Sequence, residues 1–243
     1  MPEIFPVIIL NARPAAGKSE IIQALRAIPQ DERAERFHIG SLRVLDDFPI
    51  LWSWFEEDDL LEREFDRPRL HTTPDGYFIH DDMWHLLVRL LDLEYHKLNR
   101  NRLDSTTVII EFSRGSSHGG YAQAYQHLSD DLLRRACSLY VNVSFEESLR
   151  KNRVRFNPER PDSVLEHGLS DEKMERLYRE DDWSGFSEGD PSLLRVRSIR
   201  VPYAVFENED DVTSAAGPPL LDRLQDVTDQ LWSCRLRQLG RGG

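Results

Sequence analysis

Cysteine is scarce: the two present in 243 residues, Cys137 and Cys234, stand far apart and set up neither a disulfide framework nor a zinc pattern. No apolar run reaches the length needed to cross a bilayer, so no membrane partner is expected. Positive charge is also short. Against 43 acidic residues there are 31 Lys and Arg, a formal net charge of −12, which argues against nucleic acid as a partner because a phosphate backbone would be repelled. Repeats and long low-complexity tracts are missing, which excludes solenoids and fibrous chains. The N-terminal stretch lacks a basic segment and carries Glu3, so Ile4 to Leu10 reads as a strand rather than a signal peptide, and a cytoplasmic protein is expected.

What is present is organised around Val7-Ile-Ile-Leu-Asn-Ala-Arg-Pro-Ala-Ala-Gly-Lys-Ser19. A short apolar strand runs into a loop closed by Gly17-Lys18-Ser19, then into the amphipathic Glu20 to Ala27. This is the order of a phosphate-binding P-loop, in which backbone amides and the positive end of a helix face an anion. Ala12, Arg13, Pro14, Ala15, Ala16, Gly17, Lys18, Ser19 and Glu20 are the candidate nucleotide-binding residues. Lys18 is placed to reach the terminal phosphates, and the Ser19 hydroxyl to ligate Mg²⁺. The motif lacks its first glycine, whose place Ala12 holds; a methyl group there is tolerated where φ is negative.

Further along, Phe37-His-Ile39 reads as a second strand, completing a βαβ unit and so a parallel sheet with its ligand at the strand C-terminal edge. Residues 46–104 read as a helical acceptor-side insertion, with a long buried helix starting at Asp81 or Asp82 and an aromatic cluster, Trp52, Trp54 and Phe55, expected in the core. Thr106 to Phe112 is a β-branched run suited to a strand buried on both faces. Ser138 to Val143 follows as a strand, and Ser144-Phe-Glu-Glu147 as a capping box. The polar stretch 157–191 reads as a lid. Val201 to Phe206 is the last strand, and a final helix follows Pro218-Pro219. The expectation is a single three-layer α/β domain over 1–243 with a parallel sheet of about five strands.

Phosphoryl transfer asks for a phosphate cradle, a carboxylate on the metal side, an acceptor-side base and mobile arginines. Beyond Lys18 and Ser19, Glu111 ends the buried strand beside the first one, where it could orient Mg²⁺ through water or accept a proton. Arg114 could hold an acceptor phosphate or pair with Glu111. Arg150 and Arg153 share a helical face and could meet the transferring phosphate. Asp46, Asp47, His80 and Asp82 are candidate substrate-binding residues, although Asp82 is equally explained as a helix N-cap. Asn208, after the last strand, could approach a nucleobase.

This ordered set resembles the P-loop kinases of small molecules, the superfamily of nucleoside and nucleotide kinases. At residue level the resemblance rests mainly on Gly17-Lys18-Ser19. It implies ATP and Mg²⁺, with Glu111 and Arg114 serving the acceptor and Arg150, Arg153 or Arg155 serving the phosphates. Where adenylate-type kinases carry Asp-Gly-x-Pro-Arg and deoxynucleoside kinases Glu-Arg-Ser, this chain carries Glu111-Phe-Ser-Arg114, so the acceptor does not carry over. ATP is favoured over GTP because no Asn-Lys-x-Asp segment occurs. The function expected is an ATP-dependent kinase acting on a small-molecule acceptor, with nucleoside- and nucleotide-like molecules among the candidates. The alternatives are an ATPase or nucleotide switch acting on a protein partner, and a non-catalytic nucleotide-binding protein.

Overall fold

The computed structural model describes residues 3–100, 105–155 and 169–240. The chain begins with β1 (Val7–Ala12), whose six residues are all buried, and turns through the loop into α1 (Lys18–Ala27). Ile21, Ile22 and Leu25 set one face of α1 against the sheet. α2 (Gln30–Phe37) then returns to β2 (Ser41–Asp46), and α3 (Phe48–Phe65) and α4 (Met83–Asn99) follow. β3 (Thr106–Phe112) leads through a 3-10 turn to α5 (Gly120–Gln126), α6 (Asp130–Arg135), β4 (Ala136–Asn142) and α7 (Phe145–Arg155). The remainder comprises α8 (Asp171–Tyr178), α9 (Trp183–Ser187), β5 (Leu193–Val196), β6 (Ile199–Glu207), α10 (Val212–Ala215) and α11 (Pro218–Gln238).

The strands form one sheet in the order β2-β3-β1-β4-β6-β5, parallel except for the β5–β6 hairpin. Apolar residues alternate to its two faces. Ile8, Leu10 and Ile109 pack with α1 and α11, while Val7, Ile9, Val108 and Ile110 pack with α4 and α5. This is the three-layer α/β P-loop fold, with the first strand central and its C-terminal end, together with those of β2, β3 and β4, facing one edge.

Several expectations are corrected. Phe37 closes α2 and His38 turns left-handed at φ 56°, so the second strand is not 37–39 but Ser41–Asp46. A sixth strand, β5, pairs antiparallel with β6, where a parallel sheet of about five strands was expected. α4 is open on one side: Leu86 and Leu93 are exposed. Only half of the capping box forms: the Glu147 amide donates to Ser144 Oγ, whereas the Ser144 amide donates to Glu209. Of the expected lid, 157–168 lies outside the described residues, and 169–191 holds α8 and α9. Within the described residues no helix is long and apolar enough to cross a membrane.

Candidate active site

The loop after β1 is shaped by three conformations. Ala12 completes the strand in register with Val141 and stays outside the left-handed region, so its methyl costs nothing. Ala15 takes φ 55° and Gly17 φ 114°. At Gly17 a side chain is impossible for a second reason: a Cβ would lie 2.6 Å from Thr213 Oγ1 and 2.9 Å from Asn208 Nδ2. No side chain caps α1, so the amides at its start remain free to face an anion.

Asn208 accounts for that close approach. Fully buried, it donates from Nδ2 to the Ala16 carbonyl and to Thr213 Oγ1, both at 2.8 Å. It braces the loop from behind and has no face left for a nucleobase, which corrects the role expected of it. Ser148 Oγ donates to the Pro14 carbonyl at 2.7 Å and holds the other side. Arg13 also turns away from the anion site, toward α8. Glu20 lies in the first turn of α1 with a buried carboxylate oxygen, outside the cavity described next.

That cavity, of about 750 Å³, opens at the C-terminal sheet edge. One end is polar. Lys18 Nζ donates to Ser113 Oγ at 2.8 Å; burial pushes its pKa down, and Glu111, Asp46 and Asp47, in that order, pull it back. Asp46 ends β2 and Glu111 lies near the end of β3, directly opposite one another in register. Burial, with Asp46 beside it, raises Glu111 to about 7, and burial, with Asp47 beside it, raises Asp46 to about 6. The Phe48 amide donates to Asp46 Oδ1 at 3.0 Å and fixes its orientation.

Arg114 is 1% exposed and lines the cavity, but its partner is Asp47 rather than Glu111: Nη1 meets Asp47 Oδ2 at 2.7 Å, and Nη2 donates to the Trp84 carbonyl at 3.0 Å. Its charge also lies over the rings of Trp84 and Phe112. Arg150 and Arg153 are drawn elsewhere. Arg150 pairs with Glu147 and Asp211, Arg153 with Asp171; both are exposed and neither lines the cavity. Arg155 does line it, and its Nη2 stands 3.4 Å from Ser19 Oγ. The choice made at sequence level among these arginines is corrected to Arg155.

The other end of the cavity is walled by aromatic rings. Trp52 and Phe55, expected in the core, line it with Phe78, Trp84 and Tyr178, whereas Trp54 stacks on His71. His80 and Asp82 are exposed and outside it; Asp82 occupies the N-cap position of α4, but its side chain makes no capping hydrogen bond. Sequence reasoning missed Ser113, Ser148 and Tyr178, and gave Arg155 only as one of three arginines, because their contacts come from residues far along the chain.

The residues at the polar end fit a hydrated hard cation and a polyphosphate. Ser19, Asp46 and Glu111 are oxygen donors, and Mg²⁺ is held by one or two such groups with substrate phosphates and water rather than by a closed protein cage. No cluster of three or more His, Cys, Asp or Glu capable of holding a metal occurs among the described residues.

No family model and no curated protein matches the chain. Solved structures similar in fold include TT1252 from Thermus thermophilus, at 16% identity and a TM-score of 0.45, covering 92% of this chain and 95% of that one. Kti12 from Chaetomium thermophilum, solved in complex with ADP-AlF3, shows 14% identity and a TM-score of 0.49 over 94% and 98% of the two chains. A gluconokinase from Sinorhizobium meliloti 1021 shows 10% identity and a TM-score of 0.43 over 97% and 94%.

Proposed function

We propose that the protein is a Mg²⁺·ATP-dependent phosphotransferase that acts on the hydroxyl group of a small molecule with a flat apolar or aromatic body. One observation carries this reading: the phosphate loop, a raised carboxylate pair and Arg155 share one cavity with an aromatic chamber. Its volume suits a small molecule rather than a docked protein surface, which favours an acceptor over the protein-partner alternative.

Each residue's part follows from its place. The loop amides, Lys18 and Arg155 present positive charge where the phosphates of a nucleotide would lie. Bound Mg²⁺·ATP would supply the phosphoryl group and screen its charge. Glu111, the carboxylate that acts most strongly on Lys18, is the metal-side group through water, and Ser19 the direct ligand. Asp46, one strand further from the loop and fixed by the Phe48 amide, is the base that takes the acceptor hydroxyl's proton. A base with pKa near 6 is ionised at neutral pH yet still basic enough to accept it. Trp52, Phe55 and Trp84 hold the acceptor body and exclude water from the reacting end.

The test is calorimetric titration with Mg²⁺·ADP, followed by a screen of hydroxylated aromatic compounds for ADP release. Wild type should bind ADP, and Lys18→Ala should cut turnover by roughly 10²–10³-fold. Full turnover by Lys18→Ala would refute the assignment. Binding with turnover that no acceptor stimulates would favour the ATPase alternative.

A further inference from the structure

We infer that Arg13 is a positioning residue that ties the nucleotide loop to the wall of the acceptor chamber, so that occupancy of one is felt by the other. The inference rests on the nucleotide reading above and adds a coupling between its two subsites.

A cationic side chain in a phosphate-binding loop ordinarily has an obvious ligand. Here it takes a different one. The guanidinium donates from Nε to the Tyr178 carbonyl at 3.3 Å, from Nη2 to the Arg179 carbonyl at 3.3 Å and from Nη1 to the Val143 carbonyl at 3.0 Å. Nη1 also meets Asp181 Oδ2 at 2.9 Å, with both side chains largely buried. Tyr178 is the last residue of α8 and Arg179 its C-cap. The carbonyls at a helix end lack intrahelical donors and carry the negative end of the helix dipole. Arg13 therefore caps α8 from a distant part of the chain.

The anchor beneath this cap is rigid. Asp181 accepts from Tyr140 Oη on β4 at 3.0 Å and from the Trp183 amide at 3.1 Å, and Trp183 stacks on Tyr140 with centroids 4.1 Å apart. Asp182 accepts from the amides of Tyr121 and Ala122 at the start of α5. Against this fixed point, α8 lends Lys173, Arg176, Leu177 and Tyr178 to the cavity wall, and the residues after Arg13, Pro14 and Ala15, line the same cavity. A loop that tightens on phosphate holds the capped end of α8 more firmly, and by linkage a molecule that fixes α8 holds the loop.

The experiment is hydrogen–deuterium exchange across α8 with and without saturating Mg²⁺·ADP, on wild type, Arg13→Ala, Arg13→Lys and Asp181→Asn, with ADP affinity from calorimetry and folding checked by circular dichroism. In wild type, ADP should slow exchange in α8 at least about five-fold, the low end of ordinary coupling between sites. In Arg13→Ala, ADP should still bind within about ten-fold of wild type while the α8 protection disappears. Arg13→Lys, a point charge unable to span three carbonyls, should bind ADP like wild type with the protection reduced. Should Arg13→Ala fail to fold, Arg13→Lys and Asp181→Asn carry the comparison. ADP-dependent protection of α8 that survives these variants overturns the inference, as does wild-type binding with α8 unaffected, and neither touches the nucleotide reading. Wild type that binds no ADP overturns both.

Discussion

Asp46 and Glu111 stand directly opposite one another on adjacent parallel strands, both raised in pKa, beside a buried lysine. Two carboxylates held this way oppose folding of the free protein, because each would be more easily ionised in the unfolded chain.

The sign of that effect sets the first prediction. Glu111 holds its proton to about pH 7 in the folded state against 4.5 otherwise, so the unfolded chain releases a proton first as pH rises. Stability is therefore lost across roughly pH 4.5 to 7 and is lowest above that window. Glu111→Gln, which stays neutral, should be more stable than wild type at pH 8 by on the order of 2 kcal/mol, or about 4–8 °C in Tm. The two melting temperatures should converge near pH 4.5. A variant less stable than wild type at pH 8 would contradict the raised pKa.

Asp46 gives the second. If its carboxylate takes the acceptor proton, kcat/KM should fall on the acid side with an apparent pKa near 6, belonging to the carboxylate pair rather than to Asp46 alone. Asp46→Asn should lower kcat by roughly 10²–10⁴-fold and leave Mg²⁺·ADP affinity within about three-fold. An unchanged acid limb in the variant would remove Asp46 from this role.

The third concerns the α7 arginines. Arg150 and Arg153 spend their charge on Glu147, Asp211 and Asp171 at the surface, where such pairs count for little. Arg150→Ala and Arg153→Ala should keep turnover within about three-fold. Arg155→Ala, which empties the guanidinium beside Ser19, should lose roughly 10²-fold in kcat. Steady-state kinetics on the three single variants decide it, and equal losses in all three would show that the helix acts as a whole.

The contrast among these arginines also marks how far the sequence could be read. The phosphate loop was legible because strand, glycine, lysine and helix are contiguous, and Glu111 because a charge closes a β-branched run. Arg155 was legible only as one of three arginines, since what draws Arg150 and Arg153 away are Asp211 and Asp171, on segments brought in by the fold. Asn208 was placed at the right strand end and given the wrong partner, because its target is a carbonyl 192 residues away. β2 was misplaced for a local reason: Phe37 finishes a helix and Ile39 follows its C-cap, both packing into the core, while the edge strand after them alternates Leu42 and Val44 with polar residues. The aromatic wall was missed because Trp52 and Phe55 share an apolar helix face with residues that do pack inside, and only the cavity separates the two groups.

The last prediction tests whether the Arg114–Asp47 pair is structural. Arg114 is almost wholly buried, and its Nη1 reaches Asp47 at 2.7 Å in the wall between the carboxylates and the aromatic chamber. Removing one partner of such a pair leaves an uncompensated buried charge and costs about 3–5 kcal/mol, whereas removing both can be nearly neutral. Arg114→Met should therefore lower the urea midpoint sharply, and the Arg114→Met, Asp47→Asn double variant should recover much of it. The coupling energy from the full cycle should reach on the order of 2 kcal/mol. Recovered stability without recovered acceptor turnover would show that the arginine also serves the acceptor, while additive losses would mean that the two side chains stabilise the wall independently.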